Sequence, residues 1–437
     1  MIIILKRWKG NNVMANLEIR YDKNEIWKAD LNSDKNGIEC TIENYVMILQ
    51  NDIKLKDHIR FNEFNNNYEY HDKKKEPRIW NDTDDSIIMS YIEKHYGIFH
   101  EKKYYKALMI AMKHNSYNPL KELIENKEWD GVKRIDRFLV DILHCDDNDY
   151  TRELSRMLFF GGISRLYKPG IKFDYMLVFC GEQGLGKSTI INWLALHSNY
   201  YKEVTTIDKK EGIECVRGGW ICEFSELLAM RGEQNKESMK AFISRTVDSY
   251  RPAYAVRTES IPRTCIFIGT TNNATFLTDN TGNRRYLPID IKIPRGELFE
   301  KEKEIKEYIL ECWREALYLM NNGSKDDFYL TIPSKYWQLL QSEQESRMIE
   351  DPKLEDLKEH LIKKPIGYKI CSKEIHVEIF KGIDKNMTIR EAHIIGDYMN
   401  KFKNWTRVNN PTTIEKYGRQ KYWVKEYNVE YENKEEL

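Results

Sequence analysis

Long apolar segments are missing from this sequence. No stretch approaches the roughly 18 uncharged apolar residues that a membrane-spanning helix needs, and the apolar run at residues 2–5 is short and followed by lysine. A signal peptide has the opposite order, with basic residues ahead of a longer apolar core. The sequence therefore predicts no membrane span, no signal peptide and no membrane partner.

Cysteine patterns typical of metal sites are missing as well. The eight cysteines form no C-x-x-C pair, and none falls at zinc-finger spacing with histidines. Isolated cysteines of this kind are typical of reduced thiols in the cytosol. We therefore expect a cytoplasmic protein without a structural zinc ion of that type.

An excess of charge of one sign is also absent, because Lys+Arg and Asp+Glu both number 69. Any surface that binds nucleic acid must then be local. With 41% hydrophobic and 32% charged residues, the composition is that of a globular chain with a solvated surface. A chain of 437 residues is long enough for about two to four domains.

A phosphate-binding loop is the strongest motif that is present. Residues 181–188 read GEQGLGKS, a full G-x-x-x-x-G-K-[ST] match. The apolar run 175–180 predicts a buried strand before the loop, and residues 187–196 predict a helix after it. A chance match in a glycine-rich turn would lack this context. The predicted nucleotide-binding residues are Gly181, Glu182, Gln183, Gly184, Leu185, Gly186, Lys187, Ser188 and Thr189.

The chemistry of this loop assigns roles to two of its side chains. Glycines let backbone amides turn toward a phosphate, and the positive end of the following helix faces the anion. Lys187 is predicted to reach the β- and γ-phosphates, and the Ser188 hydroxyl to bind Mg²⁺. Mg²⁺ and ATP, the nucleotide typical of this class, are therefore the expected ligands.

Acidic residues follow a second predicted strand. The apolar segment 220–222 ends at Glu223, and Glu226 lies three residues further on. An NTPase needs an acid on a neighbouring strand to hold the metal and its water, and we assign that role to Glu223. Either carboxylate could orient the attacking water, with Glu226 preferred. The alternative is a helix start whose dipole favours exposed acids.

Polar residues end a third predicted strand, at 265–273. Asn272 is the best candidate there to contact the γ-phosphate. Arg284 and Arg285 come just before the next strand. They could form a structural ion pair or reach into the ATP site of a neighbouring subunit, and the residues alone leave both interpretations open.

In their order, these elements resemble the superfamily 3 helicases of viruses and plasmids, which belong to the AAA+ class. The resemblance is closer still to the virulence-associated protein E family of phages and mobile islands. It is strong over about residues 115–295 and loose before them. It rests on residues 128–136, 168–189, 219–227, 239–272 and 282–289.

This resemblance implies an α/β fold, with a P-loop AAA+ core of helices around a mostly parallel sheet. It implies a homo-hexameric ring in the cytoplasm of a bacterial host cell, with ATP between subunits and Arg284 or Arg285 acting in trans. The chain departs from the family in using Glu223 where aspartate is usual. It also lacks a convincing set of primase acids in its first 115 residues, so no primase activity is expected.

The resemblance further implies that residues 248–262 form a hairpin facing the central channel. Aromatic and cationic groups alternate in this segment, which suits stacking on bases and contact with the phosphates of single-stranded DNA. A hairpin with an ordinary solvated basic face is the alternative. The predicted DNA-binding residues of the hairpin are Tyr250, Arg251, Tyr254 and Arg257.

Further regions flank the ATPase core, which we assign to residues 168–335. Residues 1–115 predict a helical N-terminal domain, α-rich or α+β, in which Asp82 and Asp84 are interpreted as helix-capping acids rather than metal ligands. Residues 116–167 predict a helical collar.

Residues 353–437 predict three helices followed by two strands, which describes a winged-helix-like domain. Its third helix could enter the major groove of duplex origin DNA, with Arg419 and Lys421 on phosphates. Protein docking is the other use of this fold. His376 and His393 are interpreted as helix-face residues, because no partner ligand lies at metal-binding spacing.

The leading functional hypothesis is an ATP-dependent DNA helicase or translocase that replicates a phage or mobile element as a ring on single-stranded DNA. The first alternative is an ATP-dependent replication initiator or helicase loader without processive unwinding. The second is a small-molecule kinase, which the paired arginines and the basic hairpin disfavour.

Overall fold

The computed structural model describes residues 25–72, 75–208, 210–227, 233–250, 259–277, 283–349, 352–382 and 387–426. The chain divides into two compact units with the boundary after Arg347. Among the described helices, none combines the length and apolarity that crossing a bilayer requires.

The N-terminal part of the first unit combines helices with a four-stranded sheet of order β5-β4-β3-β6. In chain order its elements are β1 (Ser33–Asp34), β2 (Gly37–Ile38), α1 (Ile42–Asn51), β3 (Ile59–Asn62), β4 (Asn67–Asp72), β5 (Lys75–Ile79), α2 (Asp82–Tyr96), α3 (Glu101–His114) and β6 (Ser116–Tyr117). The region is therefore α+β, which is one of the two alternatives that the sequence left open, and it is not purely helical.

The sequence did not locate these strands, because the feature that indicates them is the turn between β3 and β4. β3 and β4 pair antiparallel on either side of an asparagine-rich turn, where Asn66 has a left-handed φ of 57°. Asparagine tolerates this conformation better than most residues. Alternating aromatic residues around residues 65–67 were the available sign of a hairpin.

The capping interpretation of the acids at the start of α2 is confirmed. Asn81 and Asp84 form a capping box at the start of this helix, with Asp82 in its first turn. Asp84 also pairs with Arg78 at 2.5 Å. Its carboxylate is thus occupied in holding the helix start.

The rest of the first unit contains a five-stranded sheet, with every described strand pair parallel and the order β13-β7-β12-β9-β8. Along the chain, helices come before, between and after its strands. An antiparallel pair, β10 and β11, comes just before β12. The elements are α4 (Pro119–Glu125), α5 (Phe138–Leu143), α6 (Asp149–Tyr167), β7 (Met176–Cys180), α7 (Lys187–Leu194), β8 (Tyr201–Glu203), α8 (Glu211–Val216), β9 (Ile221–Phe224), α9 (Glu233–Ile243), β10 (Val247–Tyr250), β11 (Glu259–Pro262), β12 (Ile266–Thr271), β13 (Tyr286–Asp290), α10 (Glu297–Glu300), α11 (Glu302–Asn322) and α12 (Trp337–Ser346).

Both faces of this sheet are covered, which explains why β7 is apolar throughout. Leu177 and Phe179 belong to the core that α6 and α11 share, whereas Val178 lies in a second core with residues of α9. Successive side chains of a strand point to opposite faces, so a sheet buried on both faces requires a continuous apolar run.

Close packing of α6 against α11 fixes the first of these cores. The rings of Trp313 and Trp220 lie 4.3 Å apart, and a Cβ added to Gly162 would come within 2.4 Å of Trp313. Glycine at this position lets the helix approach the indole. Trp313 of α11 thereby packs against both α6 and Trp220, the residue before β9.

The second unit contains helices and a three-stranded antiparallel sheet of order β14-β16-β15. Its elements are α13 (Pro352–Ile362), β14 (Lys369–Cys371), α14 (Ser372–Glu374) continued by a π-helical turn (Ile375–Ile379), α15 (Ile389–Met399), β15 (Trp405–Ile414) and β16 (Gly418–Lys425). The three predicted helices and two predicted strands are present, and β14 is an additional strand.

Candidate nucleotide-binding site

The predicted phosphate-binding loop connects β7 to α7. Gly184 and Gly186 adopt left-handed φ angles of 87° and 81°. A Cβ on Gly186 would lie 2.5 Å from Leu298 Cδ1. Glycine is thus required here by both backbone conformation and space, and Gly186 caps the start of α7.

Lys187, the first residue of α7, folds back across this loop. Its ammonium donates to the carbonyl oxygens of Gly181 and Glu182 at 2.8 and 2.7 Å, and to Asn272 Oδ1 at 2.9 Å. Burial lowers the pKa of Lys187, while the negative charges of Glu223 and Glu226 oppose that shift. A cation held mainly by neutral oxygens is well placed to exchange them for phosphate oxygens.

Glu223 lies fully buried on β9 and accepts three hydrogen bonds. The donors are Ser188 Oγ at 2.8 Å, Thr270 Oγ1 at 3.0 Å and Tyr201 OH at 2.6 Å. Burial, together with the bond to Glu223, raises the pKa of Tyr201, so the phenol remains a donor. The carboxylate is therefore fixed next to the hydroxyl that the sequence assigns to metal binding.

Glu226 occupies a different environment from Glu223. It is exposed, lies just beyond the end of β9 and adopts a left-handed φ of 46°. Few residues other than glycine, asparagine and aspartate adopt this conformation readily. Because it follows the end of β9 by two residues, Glu226 lies at the same end of the sheet as the loop.

The order of the strands explains why these residues meet. β12 lies between β7 and β9, with Thr271 paired to Cys180 and Ile268 paired to Glu223. All three strands are parallel, so their carboxyl ends share one edge of the sheet. Asn272, one residue past β12, is consequently placed beside the loop that begins one residue past β7.

A cavity of about 360 Å³ opens beside the loop. It is large enough for a small-molecule fragment. Its lining consists of residues 180–182 and 185 from the loop side and residues 290–293 from the end of β13.

Two residues of this site escaped prediction, Thr270 and Tyr201. Thr270 lies one strand away from Glu223 and Tyr201 begins β8, so each contact depends on how the strands are ordered and aligned. The polar ending of β12 was visible in the sequence, but its alignment with β9 was not.

Arg284 and Arg285 lie away from this site. They form a short 3-10 turn before β13, whose first residue pairs with Met176 at the start of β7. The five residues of β7 span about 13 Å at roughly 3.3 Å per residue, so both arginines are at the opposite edge of the sheet from the loop. Arg285 donates to Ser244 Oγ at 2.9 Å, and Arg284 is exposed.

The base of the predicted hairpin is present at that same opposite edge. β10 and β11 pair antiparallel, and Tyr250 ends β10 opposite Glu259. Asp248, within β10, accepts from buried Arg263, the residue after β11, at 2.9 and 2.7 Å. Three of the predicted DNA-binding residues, Arg251, Tyr254 and Arg257, lie outside the described residues.

Two further predicted DNA-binding residues lie on the second unit. Arg419 and Lys421 are both exposed and two positions apart on β16. Alternate residues of a strand share a face, so the two cations lie on one face of this strand.

The family model described as the virulence-associated protein E-like domain matches residues 123–349 of this chain. No curated protein matches it.

Among solved structures, the chain is similar to the apo form of the NrS-1 C-terminal region, at 14% identity over 88% of this chain and 99% of that one, with a TM-score of 0.47. It is also similar to an inhibitor-bound JCV helicase, at 14% identity over 64% of this chain and 82% of that one, with a TM-score of 0.30. Both TM-scores are low, so the assignment rests on the family model. That model covers just over half of the residues, and it includes the whole phosphate-binding loop. The chain belongs to the virulence-associated protein E-like family.

Proposed function

We propose that this protein is an ATP-hydrolysing DNA motor, a helicase or translocase of a phage or mobile genetic element. The observation that carries the proposal is the convergence of Lys187, Ser188, Glu223 and Asn272 at one edge of a parallel sheet. Each supplies a group that phosphoryl transfer from ATP needs: a cation, a metal-binding hydroxyl, an acid and an amide that reaches the γ-phosphate.

The oxygens at this edge fit Mg²⁺, which prefers hard oxygen ligands and keeps several waters. Ser188 Oγ and a Glu223 oxygen lie 2.8 Å apart, so both can face one ion and its water shell. When bound, Mg²⁺ neutralises charge on the phosphates. Glu226, exposed beside the loop, would orient the attacking water, and the adjoining cavity would receive the nucleoside.

The paired arginines support action in trans. Because they lie at the far edge of the sheet, they cannot complete the site on their own chain. In a closed ring, that edge of one subunit would face the ATP site of the next, and a hexamer is the assembly we propose. Arg284 is the better finger because it is exposed, whereas Arg285 is tied to Ser244.

The hairpin on β10 and β11 is the proposed contact with single-stranded DNA. Its base is anchored by a buried ion pair between Asp248 and Arg263, so displacement of the sheet would be transmitted to the hairpin. The alternation of aromatic and cationic residues at 250–257 suits bases and phosphates.

The second unit is proposed to be a winged-helix-like module for duplex DNA at an origin. The order of α13, β14, α14, α15, β15 and β16 is the one such a module requires. In this proposal α15 enters the major groove while Arg419 and Lys421 contact phosphates.

A replication initiator or helicase loader is the second candidate function. The duplex-binding role proposed for the second unit favours it, because such a protein recognises an origin. The two functions differ in processive unwinding of DNA, which a helicase performs and a loader does not.

The test is ATP hydrolysis with and without single-stranded DNA, in wild type, Lys187→Ala and the control Lys172→Ala. Lys172 is 79% exposed, so its removal should leave turnover unchanged. We expect DNA to stimulate hydrolysis in wild type and in the control, and Lys187→Ala to abolish it. Turnover retained in Lys187→Ala would refute the site, and turnover indifferent to DNA would refute the motor.

A further inference from the structure

Three potential metal ligands converge in the second unit, far in sequence from the nucleotide site. His360 on α13, Glu374 at the end of α14 and Glu378 in the π-helical turn each offer one ligand atom, and these atoms lie within 4.8 Å of one another. A tetrahedral ion with bonds near 2.0–2.1 Å has ligand atoms about 3.4 Å apart. Small side-chain rotations would therefore bring this set onto one ion.

The imidazole of His360 has an unpartnered nitrogen, which indicates a ligand-binding position. Its Nε2 atom is buried and has no hydrogen-bond partner among the described residues. A buried polar atom without a partner costs about 1–3 kcal/mol, so the site gains if an ion fills that position.

Both carboxylates are already oriented by tyrosines. Tyr368 OH donates to Glu374 Oε1 at 2.7 Å, and Tyr417 OH donates to Glu378 Oε1 at 2.8 Å. Hydrogen bonds to ligating carboxylates are a regular feature of metal sites, because they hold the ligand in position. Tyr417 lies between β15 and β16, so the site also connects the helices to this hairpin.

Charge around the cluster favours a cation as well. Two carboxylates within a few ångströms repel each other unless a positive charge lies between them. The ammonium of Lys364 is 4.0 Å from Glu374 Oε1 and donates to Tyr368, so it offsets only part of this charge. A divalent ion would neutralise both carboxylates.

The local helix geometry places the two glutamates together. They are four positions apart, and the residues between them form a π-helical turn in place of regular α-helix. Single π-helical turns are rare in proteins, and those that occur lie frequently at functional sites. Here the turn presents Glu374 and Glu378 to α13.

We propose that His360, Glu374 and Glu378 bind a divalent transition-metal ion of the Zn²⁺ class, which ties α13 to the π-helical turn. One nitrogen and two carboxylate oxygens suit this class, whereas Mg²⁺ and Ca²⁺ prefer oxygen alone. The site is independent of the proposed nucleotide chemistry. It would stabilise the arrangement of helices and hairpin in the second unit.

The test is calorimetric titration of Zn²⁺ into the full-length protein, without nucleotide or Mg²⁺, in wild type, His360→Gln and Glu378→Gln. We expect one saturable site in wild type. Each variant should lose at least about 10-fold in affinity, since loss of even an outer partner costs that much. His393→Gln is the matched control, because His393 is an exposed histidine of the same unit outside the cluster.

Glu378 is exposed, so Glu378→Gln should fold even if His360→Gln does not. Loss of the site in Glu378→Gln but not in His393→Gln supports the proposal. Wild type without a saturable site, or Zn²⁺ bound equally by wild type and Glu378→Gln, as cysteine binding would produce, overturns it.

Discussion

Asn272 offers a sharp test of the site, because its neighbour Asn273 provides the control. Asn272 Oδ1 accepts from Lys187 at 2.9 Å. Asn273 is exposed, and it donates to Thr271 through its backbone amide, which alanine retains. The two substitutions Asn272→Ala and Asn273→Ala therefore remove the same chemical group from adjacent positions. Of the two, Asn272→Ala is the one that removes the hydrogen bond with Lys187.

The expected magnitude is that of the hydrogen bond that the Asn272 amide is proposed to make to the γ-phosphate. A hydrogen bond to a charged group contributes about 1.5–3 kcal/mol, and each 1.36 kcal/mol of lost transition-state stabilisation lowers a rate about tenfold. We expect Asn272→Ala to lower kcat about 10- to 150-fold. KM for ATP should change little, because an interaction made mainly in the transition state lowers kcat and leaves ground-state binding of ATP almost unchanged.

The assay is steady-state ATP hydrolysis at saturating single-stranded DNA, with ATP binding measured separately by a fluorescent analogue. Asn273→Ala should retain wild-type kcat. Equal losses in the two variants would refute the assignment of Asn272 to the γ-phosphate. So would an increase in KM at unchanged kcat, since that pattern indicates uniform binding of substrate and transition state.

Three further predictions address the surroundings of the site. Tyr201→Phe removes a donor to the buried carboxylate of Glu223 and should lower the free energy of unfolding by about 1.5–3 kcal/mol in urea titrations; wild-type stability would contradict a stabilising role for this hydrogen bond. Asp248→Ala leaves the guanidinium of Arg263 buried without its partner and should lower the free energy of unfolding by about 3–5 kcal/mol. Asp147 forms exposed ion pairs with Arg137 and Arg152, so Asp147→Ala should lower it by less than about 1 kcal/mol; equal costs would contradict the anchoring role of Asp248. Arg284→Ala should abolish hydrolysis but spare ATP binding, and mixing it with Glu226→Gln subunits should restore activity; a mixture without activity would exclude action in trans.

Much of the nucleotide site was predictable because its signals are local. The spacing of Gly181, Gly186, Lys187 and Ser188 along the chain fixes where the loop turns and where α7 begins, whatever surrounds it. The apolar run of β7 likewise follows from burial of a parallel sheet on both faces. Helix ends were similarly accessible, as the capping residues Asn81 and Asp84 illustrate.

Contacts between distant strands could not be predicted in the same way. The strands of the N-terminal sheet were not located, and Tyr201 and Thr270 gave no sign that they would contact Glu223. A strand's own residues set its alternation, but its neighbours and alignment depend on packing across the whole core. His360 and the two glutamates of the second unit were invisible for the same reason, since a helix from elsewhere in the sequence completes the set.

The sequence by itself determined that this protein has a G-x-x-x-x-G-K-S loop between an apolar strand and a helix, a strand ending in acid and a pair of arginines. Only the tertiary structure decided that Glu223 is buried against Ser188 while Glu226 stays exposed. It also decided that both arginines lie at the edge of the sheet opposite the loop. Neighbouring residues set local conformational preferences and spacing. The order and register of the parallel strands decide which groups share an edge of the sheet. Packing between residues far apart in the chain sets that order and register.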